Sequence, residues 1–199
     1  SVLTFDCYGT LIDWETGIWD AFQPLLVENP PTGLERDALI TAFNHLEAEQ
    51  QCAAPTMSYP TVLECVHRAL AEDLELKTSP MLAHAFGASV PSWPAFPDSA
   101  DSLSFLSEHF GLVILSNVDR AGFAASNALL GVEFDAVYTA EDIGSYKPDP
   151  SNFEYLIEHV ESDLGYGKSD ILHTAQGIRH DQIPARAIGL ANAWIDRTR

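Results

Sequence analysis

Short apolar runs rich in β-branched residues alternate along the chain with longer stretches of helical periodicity. The apolar runs predict strands at residues 2–5, 112–115, 134–138, 171–174 and 190–195. Helical patterns with cap-like starts lie between the later runs, beginning near Asp98, Asp119 and Pro150. An alternation of strand and helix favours a parallel sheet that is covered by helices.

The segment 14–93 breaks this alternation, because its periodicity predicts helices with no convincing strand between them. The helical stretches are 15–28, 34–53, 60–76 and 80–88. The segment ends in VPSWPAFPD, whose prolines favour an extended connection. We therefore predict an α/β fold with a Rossmann-like parallel sheet flanked by helices, formed by residues 1–13 and 94–199, and an inserted helical cap at 14–93.

The composition of the chain indicates which classes of partner are disfavoured and which cellular compartment is expected. The chain has 199 residues, of which 29 are acidic and 10 are basic, so the formal charge of −19 disfavours nucleic acid and anionic membrane surfaces as partners. Cys7, Cys52 and Cys65 have neither paired nor metal-type spacing, which indicates a reducing compartment. Neither a charged leader with an apolar run nor a membrane span is visible, and we expect a cytoplasmic protein.

Polar side chains follow the predicted strands at the points where those strands end. Asp6 follows the first strand, Ser116 and Asn117 follow the second, and Lys147 and Asp181 lie in the loops after the third and fourth. Each alone is more often a cap, turn or surface residue. Because ligands bind outside the carboxyl ends of parallel strands, their common position indicates one site.

FDCYGTL, LSN, YKPDP and HTAQGIRHDQIPARAIGLANAWIDR occur in this order along essentially the whole chain. They resemble the four ordered motifs of the haloacid dehalogenase superfamily. The resemblance implies a Rossmann-like core with a cap. It also implies that Asp6 is the nucleophile and that Thr10 orients it.

Tyr8 bears on which branch of the superfamily the chain is similar to. Most members are phosphatases, whose first motif is similar to DxDxT, and the second acid of that motif protonates a leaving alkoxide. This chain has DxYxT at the same place. A halide leaves without a proton, so a dehalogenase can dispense with that acid. The first motif of the L-2-haloacid dehalogenase branch is similar to D-x-Y-G-T, and this chain resembles that branch here. Tyr8 also fits the alternative of a buried aromatic residue whose hydroxyl is hydrogen-bonded.

Gln176 bears on the question of a metal. It stands where a phosphatase-like fourth motif would carry its first magnesium ligand, and an amide is a poor substitute for a carboxylate in a hard-cation site. We therefore expect a metal-independent enzyme without a cofactor.

The resemblance implies a two-step displacement on a small 2-halocarboxylate. Asp6 would form an ester with the α-carbon and expel halide, and water activated or positioned by Asp181 would cleave the ester. Lys147 would keep Asp6 ionised, and Ser116 and Asn117 would hold the substrate carboxylate. The cap would exclude bulk water. The resemblance also implies a homodimer.

Three departures from the family pattern stand beside this match. The arginine that receives halide in known 2-haloacid dehalogenases falls on Ala42, and Arg36 is the nearby arginine. Phe153 replaces a tyrosine after the lysine motif. Gln176 and Ile178 replace a serine and an asparagine before the last aspartate.

His173, Arg179 and His180 enrich the last loop and offer compensation, and His180 would titrate near neutrality. The predicted substrate-binding residues are Tyr8, Ser116, Asn117, Arg36, Gln176 and His180. Two alternatives remain open at this point. One is a magnesium-dependent small-molecule phosphatase of the same superfamily, and the other is a non-catalytic relative that binds a carboxylate or a protein partner.

Overall fold

A five-stranded, all-parallel sheet with the order β3-β2-β1-β4-β5 is the centre of the fold. The computed structural model describes residues 1–197. The strands are β1 Val2–Phe5, β2 Gly111–Ser116, β3 Ala136–Thr139, β4 Ile171–Ala175 and β5 Ala191–Trp194. The predicted fold class is confirmed, and the strand predicted at 134–138 begins two residues later than expected.

Nine α-helices lie within the described residues. They are α1 Trp14–Val27, α2 Arg36–Ala53, α3 Tyr59–Asp73, α4 Pro80–Gly87, α5 Ser99–Ser107, α6 Arg120–Leu130, α7 Ala140–Ile143, α8 Pro150–Leu164 and α9 Ile183–Ala187. Within residues 1–197 no helix combines the length and the apolar character that crossing a membrane requires.

The chain divides into two compact units. The sheet unit consists of Ser1–Asp13 and the described part of Ala95–Arg199, and the helical unit is Trp14–Pro94. The last two residues of the predicted core lie outside the described residues.

The central position of β1 determines where the polar side chains of the sheet unit meet. Its residues are all buried, and Thr4 pairs in register with Val113 on one side and His173 on the other. Because the strands are parallel, the carboxyl ends of β1, β2 and β4 meet at one edge. One face of the sheet packs against α8 and α9 through a buried cluster made of Val2, Val113, Leu115, Tyr138, Phe153, Leu156, Val160, Ile171, Ala185 and Leu190.

The loop after β1 is held by its own backbone. The carbonyl oxygen of Cys7 accepts hydrogen bonds from the N–H groups of Thr10, Leu11 and Ile12. Gly9 has a φ of 93°, a conformation that a side chain disfavours, so the turn requires glycine at this position. This turn fixes the backbone that follows Asp6.

The helical unit has an aromatic core. Phe22, Phe43 and Phe86 are almost fully buried, and the ring of His67 packs against Phe22 and Phe86 with centroid distances of 5.7 and 5.1 Å. The Nδ1 atom of His67 is buried and has no hydrogen-bond partner among the described residues. Burial in this apolar surrounding lowers the pKa of His67 to about 4.

His67 makes the helical unit sensitive to acid. Its pKa is lower in the folded state than in the unfolded chain, so stability is complete above about pH 6.5 and falls as the pH drops towards 4. We expect this histidine to account for a loss of up to about 3 kcal/mol in the free energy of unfolding across that range. Urea titrations at several pH values should show that acid lowers the free energy of unfolding less in His67→Gln than in wild type. The matched control is His45→Gln, which changes an exposed histidine of the same unit.

Candidate functional site

Lys147 is a buried lysine at the carboxyl edge of the sheet, with its side chain only 1% exposed. Its Nζ atom donates to Asp6 Oδ1 at 2.9 Å, to Asp181 Oδ1 at 2.6 Å and to the carbonyl oxygen of Leu115 at 2.9 Å. An ammonium group has three protons to donate, so these bonds use its full capacity. The lysine therefore joins the loops after β1, β3 and β4 at one point.

Asp6 is fixed through both of its carboxylate oxygens. Lys147 contacts Oδ1, and the Thr10 hydroxyl donates to Oδ2 at 2.8 Å. Thr10 Oγ1 in turn accepts the backbone N–H of Gln176 at 3.0 Å. The backbone N–H of Asp6 itself donates to the carbonyl oxygen of Thr174, which extends the pairing of β1 with β4.

The three charged groups of the site have strongly perturbed pKa values. Burial raises the pKa of Asp6 above its ordinary value; the charge of Lys147 opposes this shift, and that of Asp181 adds to it. Burial would also raise the pKa of Asp181, but Lys147 and a hydrogen bond from His173 lower it to about 2. Burial would lower the pKa of Lys147, but the two carboxylates raise it. Asp181 and Lys147 are therefore charged near neutrality, and Asp6 is the carboxylate that acid protonates first.

The end of β2 contributes one polar side chain without a hydrogen-bond partner and one whose hydrogen bonds are made within the protein. Ser116 Oγ is buried and has no hydrogen-bond partner among the described side chains and backbone. The Asn117 side chain, by contrast, bonds the backbone of Lys147 twice: its Nδ2 donates to the carbonyl oxygen, and its Oδ1 accepts the N–H. Asn117 thus positions the lysine, and Ser116 is the group available to a ligand.

Tyr8 carries a phenol where a phosphatase-like motif would place a carboxylic acid. Its hydroxyl lies 2.8 Å from Ser126 Oγ on α6. Burial raises the pKa of Tyr8, with a further contribution from Cys7, so the phenol remains protonated. A phenol of raised pKa is a weak proton donor to a leaving alkoxide.

Gln176, His180 and Arg36 are not brought into the Asp6, Lys147 and Asp181 cluster by hydrogen bonds of their described side chains. Gln176 contributes its backbone N–H to Thr10. His180 precedes Asp181, and burial lowers its pKa. Arg36 lies at the start of α2 in the helical unit and donates to Thr16 at 2.9 Å. Their roles in substrate binding stay predictions.

The sequence motifs did not predict three contacts of the site. His173 bonds Asp181, Ser126 pairs with Tyr8, and the Arg197 guanidinium donates twice to the carbonyl oxygen of Thr10. The sequence could have indicated only the contact of His173. The alternation of side chains along the strand from Ile171 places His173 on the same face of the sheet as Thr4. The contact of Ser126 depends on where α6 packs, and that of Arg197 depends on how the end of the described chain folds back onto the loop after β1. Local sequence patterns do not predict either.

A family model described as haloacid dehalogenase-like hydrolase matches residues 1–173. The chain belongs to this family. The haloacid dehalogenase-like hydrolases are enzymes, and the cluster at the carboxyl edge of the sheet is accordingly the candidate active site of this one.

Solved structures of this family are similar to the chain over most of its length. An L-2-haloacid dehalogenase is 25% identical, with a TM-score of 0.79, and the match covers 98% of this chain and 84% of that one. The L-2-haloacid dehalogenase from Xanthobacter autotrophicus with chloropropionic acid covalently bound is 20% identical, with a TM-score of 0.81, and 100% and 78% are covered.

A third similar structure was solved with magnesium bound. A Bacillus subtilis protein described as a HAD-hydrolase and solved bound to magnesium is 19% identical, with a TM-score of 0.80, and the match covers 100% of this chain and 90% of that one. No curated protein sequence gives a significant match.

The donor set of this haloacid dehalogenase-like hydrolase does not fit a magnesium ion. Asp6 and Asp181 both direct an oxygen at Lys147, whose charge occupies the position between them. Over residues 1–197 no cluster of three or more His, Cys, Asp or Glu side chains is arranged to hold a metal. Magnesium prefers carboxylate oxygens, and the side chain of Gln176 offers only an uncharged amide oxygen.

Gly177 leaves room for the free oxygen of Asp181. A Cβ atom at this position would lie 2.5 Å from Asp181 Oδ2, so the carboxylate would have to move. We expect Gly177→Ala to fold normally and to lose about 100-fold in kcat, because a displacement of about 1 Å has that effect on a group with the role expected of Asp181. Gly167→Ala is the matched control, since its Cβ would meet only Asp170 Oδ2 at an ordinary 3.8 Å.

Proposed function

We propose that the protein hydrolyses the carbon–halogen bond of small 2-haloacids through an ester on Asp6, without a metal. The observation that carries this proposal is the combination of a buried, lysine-bound Asp6 with a phenol, Tyr8, at the position of the second acid. The combination supplies a nucleophile but no strong proton donor for a leaving group. It therefore favours a leaving group that departs as a stable anion.

The first step is a displacement at the α-carbon. A carboxylate oxygen of Asp6 forms a bond to this carbon, and the carbon–halogen bond breaks with its electron pair going to the halide. No proton is transferred, so Tyr8 can remain protonated. Thr10 and Lys147 hold the carboxylate in one orientation, which reduces the entropy cost of attack.

The second step is hydrolysis of the aspartyl ester. Asp181 takes a proton from water, and the water oxygen adds to the ester carbonyl of Asp6. Collapse of the adduct breaks the bond between that carbonyl carbon and the substrate oxygen, and the departing alkoxide recovers the proton. Lys147, in contact with Asp6 Oδ1, stabilises negative charge on this oxygen in the adduct. Asp6 is left as a carboxylic acid and releases its proton to solvent, so the products are a 2-hydroxyacid, halide and one proton.

The substrate carboxylate requires donors near the nucleophile. Ser116 Oγ is buried and has no hydrogen-bond partner among the described groups, so a ligand that accepts a hydrogen bond from it would supply the missing partner. The site carries two carboxylates and one ammonium, so an anionic substrate is admitted only if such local donors offset the repulsion. This requirement favours small monoanions over doubly charged phosphate esters.

The similar structures support the same proposal. The first of them is an L-2-haloacid dehalogenase, and the Xanthobacter autotrophicus protein carries covalently bound chloropropionic acid. The position of the family's halide-receiving arginine is Ala42 here, and Arg36 is the proposed substitute. The Bacillus subtilis structure with magnesium is the reason to test phosphatase activity in parallel.

The test is a two-part assay of the wild-type protein. Halide release is measured with fluoroacetate, chloroacetate, bromoacetate and both enantiomers of 2-chloropropionate in the presence of EDTA. Phosphate release is measured with p-nitrophenyl phosphate and magnesium. We expect halide release that EDTA does not affect. Phosphate release that requires magnesium, without halide release, would contradict the proposal and favour the phosphatase alternative.

A further inference from the structure

His173 is a fully buried histidine on β4 that bonds directly to the catalytic cluster. Its Nε2 atom lies 3.1 Å from Asp181 Oδ1, and its Nδ1 atom lies 2.9 Å from Thr4 Oγ1 on β1. The ring also meets the edge of Phe153, with a centroid distance of 5.3 Å and an interplanar angle of 85°. Three elements thus hold the imidazole in one orientation.

The hydrogen-bond partners define which ring nitrogen carries the proton. A carboxylate can only accept, so Nε2 must donate to Asp181. In the neutral ring Nδ1 is then an acceptor, and the Thr4 hydroxyl is the donor that satisfies it. Thr4 therefore completes the hydrogen bonding of the tautomer that Asp181 requires.

The geometry at Asp181 separates its two oxygens. Lys147 and His173 both donate to Oδ1, at 2.6 and 3.1 Å. Oδ2 is the oxygen for which Gly177 leaves room. With Oδ1 anchored by two donors, rotation of the carboxylate is prevented and Oδ2 is presented in a fixed direction.

We propose that His173, oriented by Thr4, is a positioning residue that aims Asp181 Oδ2 at the water that cleaves the ester on Asp6. This inference rests on the proposed function for the identity of the ester. It assigns His173 to the second chemical step alone. Loss of the histidine should therefore slow ester hydrolysis while leaving formation of the ester nearly unchanged.

The kinetic test compares wild type, His173→Phe and His173→Gln with chloroacetate under single-turnover conditions. Intact-mass measurements follow the protein adduct, and halide release follows the first step. We expect His173→Phe to release halide in the first turnover at close to the wild-type rate, to accumulate the adduct, and to lose about 100-fold in steady-state kcat. His173→Gln keeps an amide N–H donor near the Nε2 position and should recover part of that loss.

A substrate-independent test uses the imidazole nitrogen signals of ¹⁵N-labelled protein, with His173 assigned by comparison with His173→Gln. We expect the pattern of an Nε2-protonated ring in wild type, and a shifted Nδ1 signal in Thr4→Val, which removes the hydrogen-bond donor to that nitrogen. An Nδ1-protonated ring in wild type would overturn the inference even if haloacids are not turned over. Equal slowing of both chemical steps in a folded His173→Phe would also overturn it, whereas wild type without halide release would contradict the proposed function instead.

Discussion

Replacement of Asp6 by asparagine should abolish turnover while leaving the fold intact. The amide preserves the shape of the side chain and can still accept from Thr10, but it cannot form the ester. We expect kcat to fall by about 10⁴-fold or more, as expected when the nucleophile of a covalent mechanism is lost. The measurement is halide release from the best substrate of the panel, with circular dichroism to verify folding.

The control for the change of charge is Asp101→Asn. Asp101 is exposed on α5 in the same unit, and its replacement should leave kcat unchanged. Isotope labelling gives an independent check. In a single turnover in H₂¹⁸O the product hydroxyl oxygen should come from Asp6, so the label should appear in the Asp6 carboxylate. Label in the product of that first turnover would mean that water attacks the substrate directly.

Replacement of Lys147 by methionine should damage both stability and catalysis. The change removes a fully bonded cation and leaves Asp6 and Asp181 facing each other in a buried site. Breaking a buried ion pair typically costs about 3–5 kcal/mol, and we expect a loss of this size in the free energy of unfolding. Loss of a donor to the ester oxygen should lower kcat by about 100-fold or more.

The pH dependence distinguishes this electrostatic role from a general loss of structure. Lys147 lowers the pKa of Asp6, so its removal should raise that pKa further. Asp6 must be ionised to attack, and activity is therefore lost as the pH falls through its pKa. The acid limb of kcat/KM should lie at higher pH in Lys147→Met than in wild type. An unmoved limb would contradict the assignment, and the exposed Lys77→Met should behave as wild type.

The sequence predicted the elements of the sheet unit and the meeting of Asp6, Lys147 and Asp181 because these depend on strand periodicity and parallel topology. Three strand ends at one edge bring their following residues together whatever the details of packing. The roles of these residues, the extent of the cap and the dimer stay predictions. The strand at 134–138 was extended too far because Phe134 is apolar and buried without belonging to the ladder.

Other features could not be predicted because they are long-range or irregular. Asp181 lies in a π-helical turn, Ile178–Gln182, which has no simple sequence signature. The amide of Asn117 bonds the backbone of Lys147, which lies thirty positions further along the chain, and its expected role in substrate binding stays a prediction. The partner of a polar side chain is set by tertiary packing, and periodicity alone does not reveal it.

The central position of β1 also has a consequence for the time at which the protein becomes active during synthesis. Val2 pairs with Gly111 and with Ile171, so β1 must wait for two segments that are synthesised after it. Such distant pairings close slowly, since the loop entropy is lost before the contacts form. Asp6 is therefore synthesised well before its lysine and its second carboxylate, and the site is complete only after Asp181 has been made.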